Sequence, residues 1–242
     1  MKKRRSLAPG ALTAPLPPAL VTVGTREKYN VLTVAWTGIL ATKPPRTYVS
    51  VRPSRYSYGL LREGGEFVIN LPTADMARAV DFAGIYTGAK MDKFARCGFT
   101  PAESTHVAPP TVAECPLALE CRVIEMREMG THHVFLADIV GVSCHEELLD
   151  ERGRLCLERA NLLAYAHGQY YRLGDVIGRF GFSTDKVECP VEKPTEKKPV
   201  AEAEKKEHRP FYKDAPRGKS TRKAGDSKNK GKPHAKGGKP KK

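Results

Sequence analysis

The amino-acid sequence predicts a mainly β domain, a closed or nearly closed β-barrel with inserted helices. At least five segments have the apolar or alternating pattern of strands, and helices are inserted between them. Most connections are short, which favours antiparallel neighbours over a parallel α/β sheet. We expect this domain at residues 15–183, between a flexible arm at 1–14 and a disordered Lys/Pro/Gly-rich tail at 184–242, which has too few apolar residues to form a core.

The N-terminal half is organised around residues 30–57. A strand at 19–24 and a charged turn lead into a strand at 30–37, so the two are expected to form a β-hairpin. Period two gives the second strand one small, partly hydroxylated face, against which a flat molecule could lie. Lys43-Pro44-Pro45 must then turn the chain, because proline donates no backbone hydrogen bond, before a strand resumes at 47–51.

Arginines and hydroxyl residues cluster directly after that strand, from Arg52 to Ser57. Ser54 is expected to cap a short helix that runs to Leu61, whose N-terminal amides carry partial positive charge. Two guanidiniums beside serine hydroxyls can hold a phosphate, since arginine donates in a fixed fork geometry. From spacing alone, a core hairpin followed by a solvated basic loop is the competing interpretation.

The rest of the domain is predicted from periodicity and from the positions of Gly and Pro. A strand and a helix come first, followed by a long irregular excursion, and excursions of this length are often functional. Segment 155–166 is ambiguous between strand and helix. The predicted bounds are a strand at 66–71, a helix at 73–84, the excursion at 85–114 with a helical turn at 91–94, strands at 117–126 and 133–144, a connector at 148–154 and a closing segment at 170–174.

Charge is concentrated at the ends of the chain. The sequence has 41 Lys+Arg and 27 Asp+Glu; residues 183–242 hold 19 and 9 of these, and residues 2–5 add four positive charges. Residues 6–182 are therefore formally neutral, and the basic balance says nothing about the barrel. The tail can lie along nucleic acid or another anionic surface by neutralising phosphates, or it can remain solvated and keep the protein soluble.

The six cysteines occur singly, without a C-x-x-C pair. This spacing argues against a zinc ribbon, a thioredoxin-type redox pair and a cysteine-ligated cluster. Their ordinary role is as small buried residues in a reducing compartment. The sequence also contains no run of about 18 apolar residues, so no membrane-spanning helix is predicted. We therefore expect a cytoplasmic protein without a membrane span.

Two nucleotide motifs and a metal site are not supported. The sequence contains neither G-x-G-x-x-G nor G-x-x-x-x-G-K-[ST], which argues against a Rossmann dinucleotide site and a P-loop. A metal site would need the fold to bring scattered residues together, and no ligand spacing favours it. Those residues are His132, His133, Cys144, His145 and His167.

Four segments occur in the order found in one known family. They are N-x-L-T-x-A-W-T at 30–37, the segment Ser50–Ser57, MDKF at 91–94 and YYRLGDVIGRFGFS at 170–183. Over residues 12–183 the chain resembles the flavin reductase-like, FMN-binding split-barrel family, and its flavoredoxin-type members in particular. The resemblance implies a split-barrel homodimer that holds one FMN in each subunit near the dimer interface.

Carried over residue by residue, the resemblance assigns three groups of residues to the cofactor. The first lies along the isoalloxazine ring, the second belongs to the segment around the phosphate, and the third makes late flavin contacts. The groups are Asn30, Thr33, Ala35, Trp36 and Thr37; Ser50, Arg52, Arg55, Tyr56 and Ser57; and Lys93, His132 and Tyr165. Lys90 competes with Lys93 for its role, and His133 with His132. Without the resemblance, the single tryptophan would be interpreted as a core residue.

In such a protein the flavin carries the chemistry. A bound flavin takes a hydride from a reduced nicotinamide and passes electrons on, so the protein needs no nucleophile or acid–base pair of its own. A positive group near N1/O2 stabilises the anionic reduced flavin, and Lys93 and His132 are expected to supply that charge.

The resemblance thus implies an FMN oxidoreductase that passes electrons from NAD(P)H or a redox partner to an unidentified acceptor. Two alternatives remain open. One is a flavin-holding electron carrier without nicotinamide activity, and the other is a nucleic-acid-binding module that uses the basic tail and has a vestigial flavin site.

Overall fold

Eleven strands and three α-helices make up the part of the chain that the computed structural model describes, residues 2–185. The strands are β1 (Ala19–Gly24), β2 (Tyr29–Val34), β3 (Thr37–Thr42), β4 (Pro45–Val51), β5 (Glu66–Leu71), β6 (Pro101–Ala102), β7 (Thr111–Val112), β8 (Leu117–Met129), β9 (His132–Cys144), β10 (Leu163–Ala166) and β11 (Gln169–Arg172). The α-helices are α1 (Tyr56–Gly64), α2 (Ala77–Ile85) and α3 (Lys93–Cys97), and short 3-10 turns lie at Ala74–Met76, Glu146–Leu148, Leu157–Arg159 and Phe182–Asp185. Within residues 2–185, no helix is long and apolar enough to cross a membrane.

Seven strands form one antiparallel sheet in the order β2-β1-β5-β8-β9-β4-β3. Its edge strands, β2 and β3, are consecutive in the chain and are separated only by Ala35 and Trp36. Three peptide steps span at most about 11 Å, so the sheet must curl until its edges nearly meet at this corner. The Ser50 amide donates to the Trp36 carbonyl at 2.9 Å and ties β4 to the corner. The predicted mainly β, closed or nearly closed barrel is confirmed.

Two apolar clusters flank the N-terminal strands. One lies inside the barrel and contains Phe67 and Phe135. The other lies between the outer face of β1 and β2 and the helices α2 and α3, and contains Leu20, Val31 and Phe94. Every residue of β1 is buried because both of its faces are covered. Each of the two strands contributes to both clusters, which fixes their register, since a slip by one residue would exchange the faces.

The N-terminal elements differ from the prediction in one missed strand and at two element ends. No separate strand was predicted at β3, because its residues were read as the end of one strand and the turn that follows it. β1 pairs with β2 in the expected hairpin, yet β2 ends at Val34 and does not continue to Thr37. The chain leaves one edge of the sheet there and enters the other, so a single strand cannot run through the corner. The helix predicted to start with a cap at Ser54 begins at Tyr56; its N-cap is Arg55, which makes no side-chain cap bond.

The later elements also follow the predicted order. Strands β5, β8 and β9 lie where strands were predicted, and the expected helical turn is part of α3. Of the ambiguous segment 155–166, the last four residues form β10, which pairs with β11 in a separate hairpin. That second strand corresponds to the predicted closing segment. Apart from residues 184 and 185, the predicted tail lies outside the described residues.

Buried polar side chains hold the excursion between α2 and β8 against the barrel. The Val112 amide donates to Asn70 Oδ1 at 2.9 Å, and the Thr105 amide donates to Glu120 Oε1 at 3.1 Å. Both acceptor residues are buried in the seven-stranded sheet. They satisfy backbone groups in a segment with little regular structure of its own, so the excursion is anchored. Its first part, at 86–93, borders the cavity described below.

Candidate functional site

A cavity of about 180 Å³ opens where β2 begins, β4 ends and α1 starts. The segment between α2 and α3 forms the remaining wall. Its lining residues are Asn30, Leu32, Arg52, Ser54, Arg55, Tyr56, Ser57, Tyr86, Thr87, Gly88 and Lys93. The cavity is smaller than the roughly 300–1,000 Å³ of pockets that enclose a whole drug-sized ligand, so it suits a phosphate-sized part of a larger one.

The wall of this cavity is cationic. It carries Arg52, Arg55 and Lys93 together with five hydroxyl-bearing side chains, and none of the lining residues is acidic. Two guanidiniums and an ammonium without a carboxylate among them attract an anion, and arginine recognises phosphate oxygens through paired N–H donors. The cavity therefore has the chemistry of a phosphate site. Its two arginines are exposed, and phosphate binding by them stays a prediction.

The N-terminus of α1 adds backbone donors to the same wall. Its N-cap, Arg55, has an extended backbone and leaves the first turn without a side-chain acceptor. The amides of Tyr56 and Ser57 precede the first intrahelical hydrogen bond, and neither has an acceptor among residues 2–185. These amides and the positive end of the helix dipole increase the attraction for an anion.

Two buried polar residues meet within the cavity wall. Asn30 is 5% exposed and Ser57 is 2% exposed. Asn30 Nδ2 donates to Ser57 Oγ at 2.6 Å, which joins the start of β2 to the first turn of α1. Gly88 packs against the same amide, and a Cβ at position 88 would lie 2.3 Å from Asn30 Oδ1. The structure therefore brings Asn30, which was predicted along the ring, together with a residue predicted around the phosphate.

Lys93 is buried beside this pair, with 3% of its surface exposed. Its Nζ donates at 2.7 Å to the carbonyl of Ala83, one of the last four of α2, which lack intrahelical donors. Burial and, to a smaller extent, Arg55 lower the pKa of Lys93 to about 8, an effect that Cys97 opposes. The ammonium is thus charged at neutral pH and titrates just above it. Lys90, its competitor, is exposed and does not line the cavity.

An exposed aromatic stack lies at the corner between β2 and β3. Trp36 is 46% exposed, and its ring stacks on His132 with centroids 6.1 Å apart and planes at 20°. Arg52 links this stack to the cavity, because its Nε donates to His132 Nε2 at 3.4 Å. The interpretation of Trp36 as a core residue is wrong, and the exposed indole offers a surface for a flat ligand.

His132 is neutral at pH 7. Partial burial lowers its pKa, and the guanidiniums of Arg52 and Arg55 lower it further. Because Nε2 accepts from Arg52, the ring proton lies on Nδ1, which donates to Thr131 Oγ1 at 2.9 Å. Without a ligand, positive charge at this end of the site therefore belongs to arginine. The lowered pKa argues against a charge on His132, and its expected contribution near the flavin stays a prediction.

The neighbouring histidine, His133, has a different environment. Its Nδ1 lies 2.8 Å from the Tyr58 hydroxyl, and the two rings meet edge to face. Consecutive residues of a strand point to opposite faces, so only one of the two histidines can lie beside Trp36. The geometry favours His132 for the predicted flavin contact.

The hydroxyls predicted along the ring are engaged within the protein. Thr33 donates to the carbonyl of Val80 in α2, and Thr37 donates to the Tyr48 carbonyl at 2.6 Å. Ala35 is buried between them. Neither hydroxyl hydrogen is free for a ligand, and contact between these three residues and a flavin stays a prediction.

The two remaining predicted residues lie outside the cavity wall. Ser50 is in β4, where its amide ties the corner. Tyr165 is in the β10–β11 hairpin, its ring 5.3 Å from that of Tyr170, and it does not line the cavity. Flavin contact by either residue also stays a prediction. Within residues 2–185, no three His, Cys, Asp or Glu side chains are grouped closely enough to hold a metal ion.

Sequence reasoning missed four lining residues: Leu32, Tyr86, Thr87 and Gly88. Three of them are consecutive and end two residues before the MDKF motif and its lysine. A glycine in this position was the available signal, since a glycine between a helix and a motif often marks a close approach. Its partner, Asn30 in β2, could not be predicted, because the two residues are distant in the chain.

The described part of the chain is a curled antiparallel barrel with a cationic cavity beside an exposed aromatic stack. The chain belongs to the family described as the flavin reductase like domain, whose model matches residues 12–174. The resemblance inferred from the four sequence segments is therefore confirmed.

Three similar proteins agree with this assignment. A flavoredoxin of Desulfovibrio vulgaris (Miyazaki F) is 34% identical, with a TM-score of 0.70 over 76% of this chain and 100% of its own. An FMN-binding protein from Thermus thermophilus is 27% identical, with a TM-score of 0.62 over 74% of this chain and 100% of its own. An uncharacterized protein of Archaeoglobus fulgidus is 38% identical over 117 residues, which are 48% of this chain and 66% of that relative, just under two thirds of its length. Family and neighbours together support a flavin cofactor.

Proposed function

We propose that the protein is an FMN-dependent oxidoreductase of the flavin reductase or flavoredoxin type, which passes electrons from NAD(P)H or a redox partner to an acceptor. One observation carries the proposal: a cationic cavity without a carboxylate in its lining lies directly beside an exposed aromatic stack. This pair fits a ligand with a phosphate at one end and a flat ring at the other. When bound, FMN supplies hydride and electron transfer.

The side chains then have separate tasks. Arg52, Arg55 and the first-turn amides of α1 bind the phosphate, and the buried Lys93 adds a positive charge behind them. Trp36 offers a face to the ring and, being half exposed, leaves it accessible to an electron donor. No general acid or base is required of the protein.

The test is an absorption spectrum of the purified protein from about 300 to 550 nm, with FMN added, followed by NADH and then NADPH without oxygen. Flavin bands that bleach with a nicotinamide are the expected result. Absence of flavin bands even with added FMN would refute the proposal.

A flavin-holding electron carrier is the second candidate. It is favoured by the 34% identity to a protein named as a flavoredoxin. In this case flavin bands would persist with NADH and NADPH but bleach with dithionite or with a reduced partner protein. The same titration therefore separates the two candidates.

A homodimer is part of the proposal. Ile39 and Leu40 lie on the edge strand β3 next to the aromatic stack and are 63% and 50% exposed. An apolar edge strand is a surface that proteins usually cover. Sedimentation at equilibrium should give twice the chain mass, and Ile39→Glu should shift it towards the monomer. A monomeric wild-type protein would exclude this assembly.

A cytoplasmic location and a role for the tail complete the set of proposals. The five cysteines of the described range are Cys97, Cys115, Cys121, Cys144 and Cys156, and all are free, which fits a reducing compartment.

Weak binding of nucleic acid is proposed for residues 184–242, of which all but the first two lie outside the described residues. If a chain truncated after Thr184 shifted nucleic acid at low salt as well as the full chain does, the tail would have no such role.

A further inference from the structure

We infer that Asn30 is a positioning residue that directs the Ser57 hydroxyl into the cavity, and that this arrangement makes the site select flavins that carry a phosphate. The inference rests on the proposed function. It differs from the role that the resemblance implies for Asn30, which is contact with the ring. The two roles predict different effects on FMN and on riboflavin, which has the same ring and no phosphate.

The first step is the direction of the hydrogen bond. Asn30 Nδ2 donates to Ser57 Oγ at 2.6 Å, so the serine oxygen is the acceptor. A serine hydroxyl has a single hydrogen, which must then point elsewhere. Among residues 2–185 the Ser57 hydroxyl donates to no protein group. Because Ser57 lines the cavity, its hydrogen is available to an oxygen bound there.

The second step is the rigidity of the amide. Asn30 is almost fully buried, and a Cβ at position 88 would lie 2.3 Å from its Oδ1 and 2.8 Å from its Nδ2. Such contacts are far shorter than van der Waals distance, so a side chain at Gly88 would have to displace the amide. Glycine at this position lets the 86–88 segment close against Asn30 and hold it towards Ser57.

The third step is the chemical consequence. A hydroxyl whose oxygen already accepts a hydrogen bond is a stronger donor, and a donor to an ionised phosphate contributes more than one to a neutral group. The ring of riboflavin has no group of that charge. The Asn30–Ser57 pair should therefore affect FMN affinity and leave riboflavin affinity nearly unchanged.

A double-mutant cycle tests whether Asn30 acts through Ser57. The full-length apoprotein is titrated with FMN and with riboflavin, and binding is followed by quenching of flavin fluorescence. Ser57→Ala and Asn30→Ala should each weaken FMN binding by about 10- to 100-fold. The double variant should bind FMN within about twofold of Ser57→Ala alone, because the asparagine has no role once the hydroxyl is gone. Riboflavin affinity should change by less than about twofold in every variant.

A glycine pair provides an independent test that leaves both polar residues in place. Gly88→Ala should displace the amide and reproduce the selective loss of FMN affinity. Gly59→Ala is the matched control, because a Cβ on that α1 residue meets nothing within 4 Å. Circular dichroism and thermal melting verify that the variants are folded.

Three results would overturn the inference. Additive losses in the cycle would show that Asn30 acts independently of Ser57. Equal losses for FMN and riboflavin would show that Asn30 contacts the ring. Unchanged FMN affinity in folded Gly88→Ala would show that the position of the Asn30 side-chain amide does not affect FMN binding. If the wild-type protein bound no FMN at all, the proposed function itself would fail first, and this outcome is distinct from the other three.

Discussion

The two ends of the candidate site differ in burial and charge, although Asn30 and Trp36 belong to one short stretch of chain. At Asn30 the side chain is buried, hydrogen-bonded and close to the three cations of the cavity. At Trp36 the side chain is half exposed and stacks on a neutral imidazole. The difference suits two separate tasks at one corner of a barrel: Asn30, Ser57 and Lys93 are polar groups away from water, as anion binding requires, whereas the ring face of Trp36 is open to solvent.

Titrations with riboflavin and with FMN test this difference between the two ends of the site. If the cavity binds only the phosphate, changes there should weaken FMN binding and spare riboflavin. If the stack binds only the ring, changes there should weaken both ligands equally. A variant that violates either rule would show that the two ends are not separate.

The largest effect is expected from Arg55→Ala. Loss of a guanidinium that faces the cavity and lies at the N-cap of α1 should weaken FMN binding by about 100-fold, since bonds to charged groups contribute the most. Riboflavin binding should stay within about twofold. Arg62→Ala, in the same helix but outside the cavity wall, is the control for a general loss of positive charge. An equal loss in this control would make the effect non-specific.

The next effect concerns pH and Lys93. The folded pKa of this lysine is lowered to about 8, so its charge is present below that pH and is lost above it. FMN affinity should therefore be full at neutral pH and fall by about tenfold as the pH rises through and beyond 8, with the midpoint shifted upward in the complex because a bound anion favours the ammonium.

Titrations of FMN at a series of pH values give the measurement. Lys93→Met should remove this pH dependence and bind FMN weakly at neutral pH, whereas Lys90→Met should keep the wild-type profile. A pH profile of Lys93→Met that matched wild type would assign the titration to another group.

A smaller effect is expected from Trp36→Ala. Aromatic stacking contributes about 0.5–1.5 kcal/mol beyond buried area, so FMN and riboflavin should both lose about 3- to 10-fold in affinity. Trp36→Phe should recover most of that loss. Fluorescence titration with both ligands checks the prediction. A loss of affinity for FMN alone would show that Trp36 affects binding of the phosphate and not of the ring.

The smallest effect is expected from His132→Gln at pH 7.5. The imidazole is neutral there because its pKa is lowered, so its removal should change neither FMN affinity by more than about twofold nor the flavin midpoint potential appreciably. Lys93→Met serves as the comparison and should make the potential more negative, because it removes a positive charge that stabilises reduced flavin. Spectroelectrochemistry gives both values. A large shift of the midpoint potential in His132→Gln would show that the histidine supplies positive charge to the flavin.

Features that depend on residues adjacent in the chain can be predicted from the sequence alone. Apart from β3, the strands of the main sheet follow from period-two patterns and turn residues. The arginine and serine cluster from Arg52 to Ser57 is local, so its members stay together in any fold. The change of composition after Ser183 likewise marks the end of the part that can form a core. These signals were enough to predict the barrel and the cationic half of the cavity.

The remaining features depend on contacts between segments distant in the chain, so they are visible only in the folded protein. Gly88 lies against Asn30, and Lys93 lies buried under the same wall, through the packing of the 86–93 segment on β2. Whether Trp36 is buried or exposed depends on the meeting of two sheet edges at its corner, and an alternating pattern gives the side of a strand without saying what covers it. A local pattern specifies which way a side chain points, whereas its burial, its partners and its pKa are set by the surfaces that fold against it.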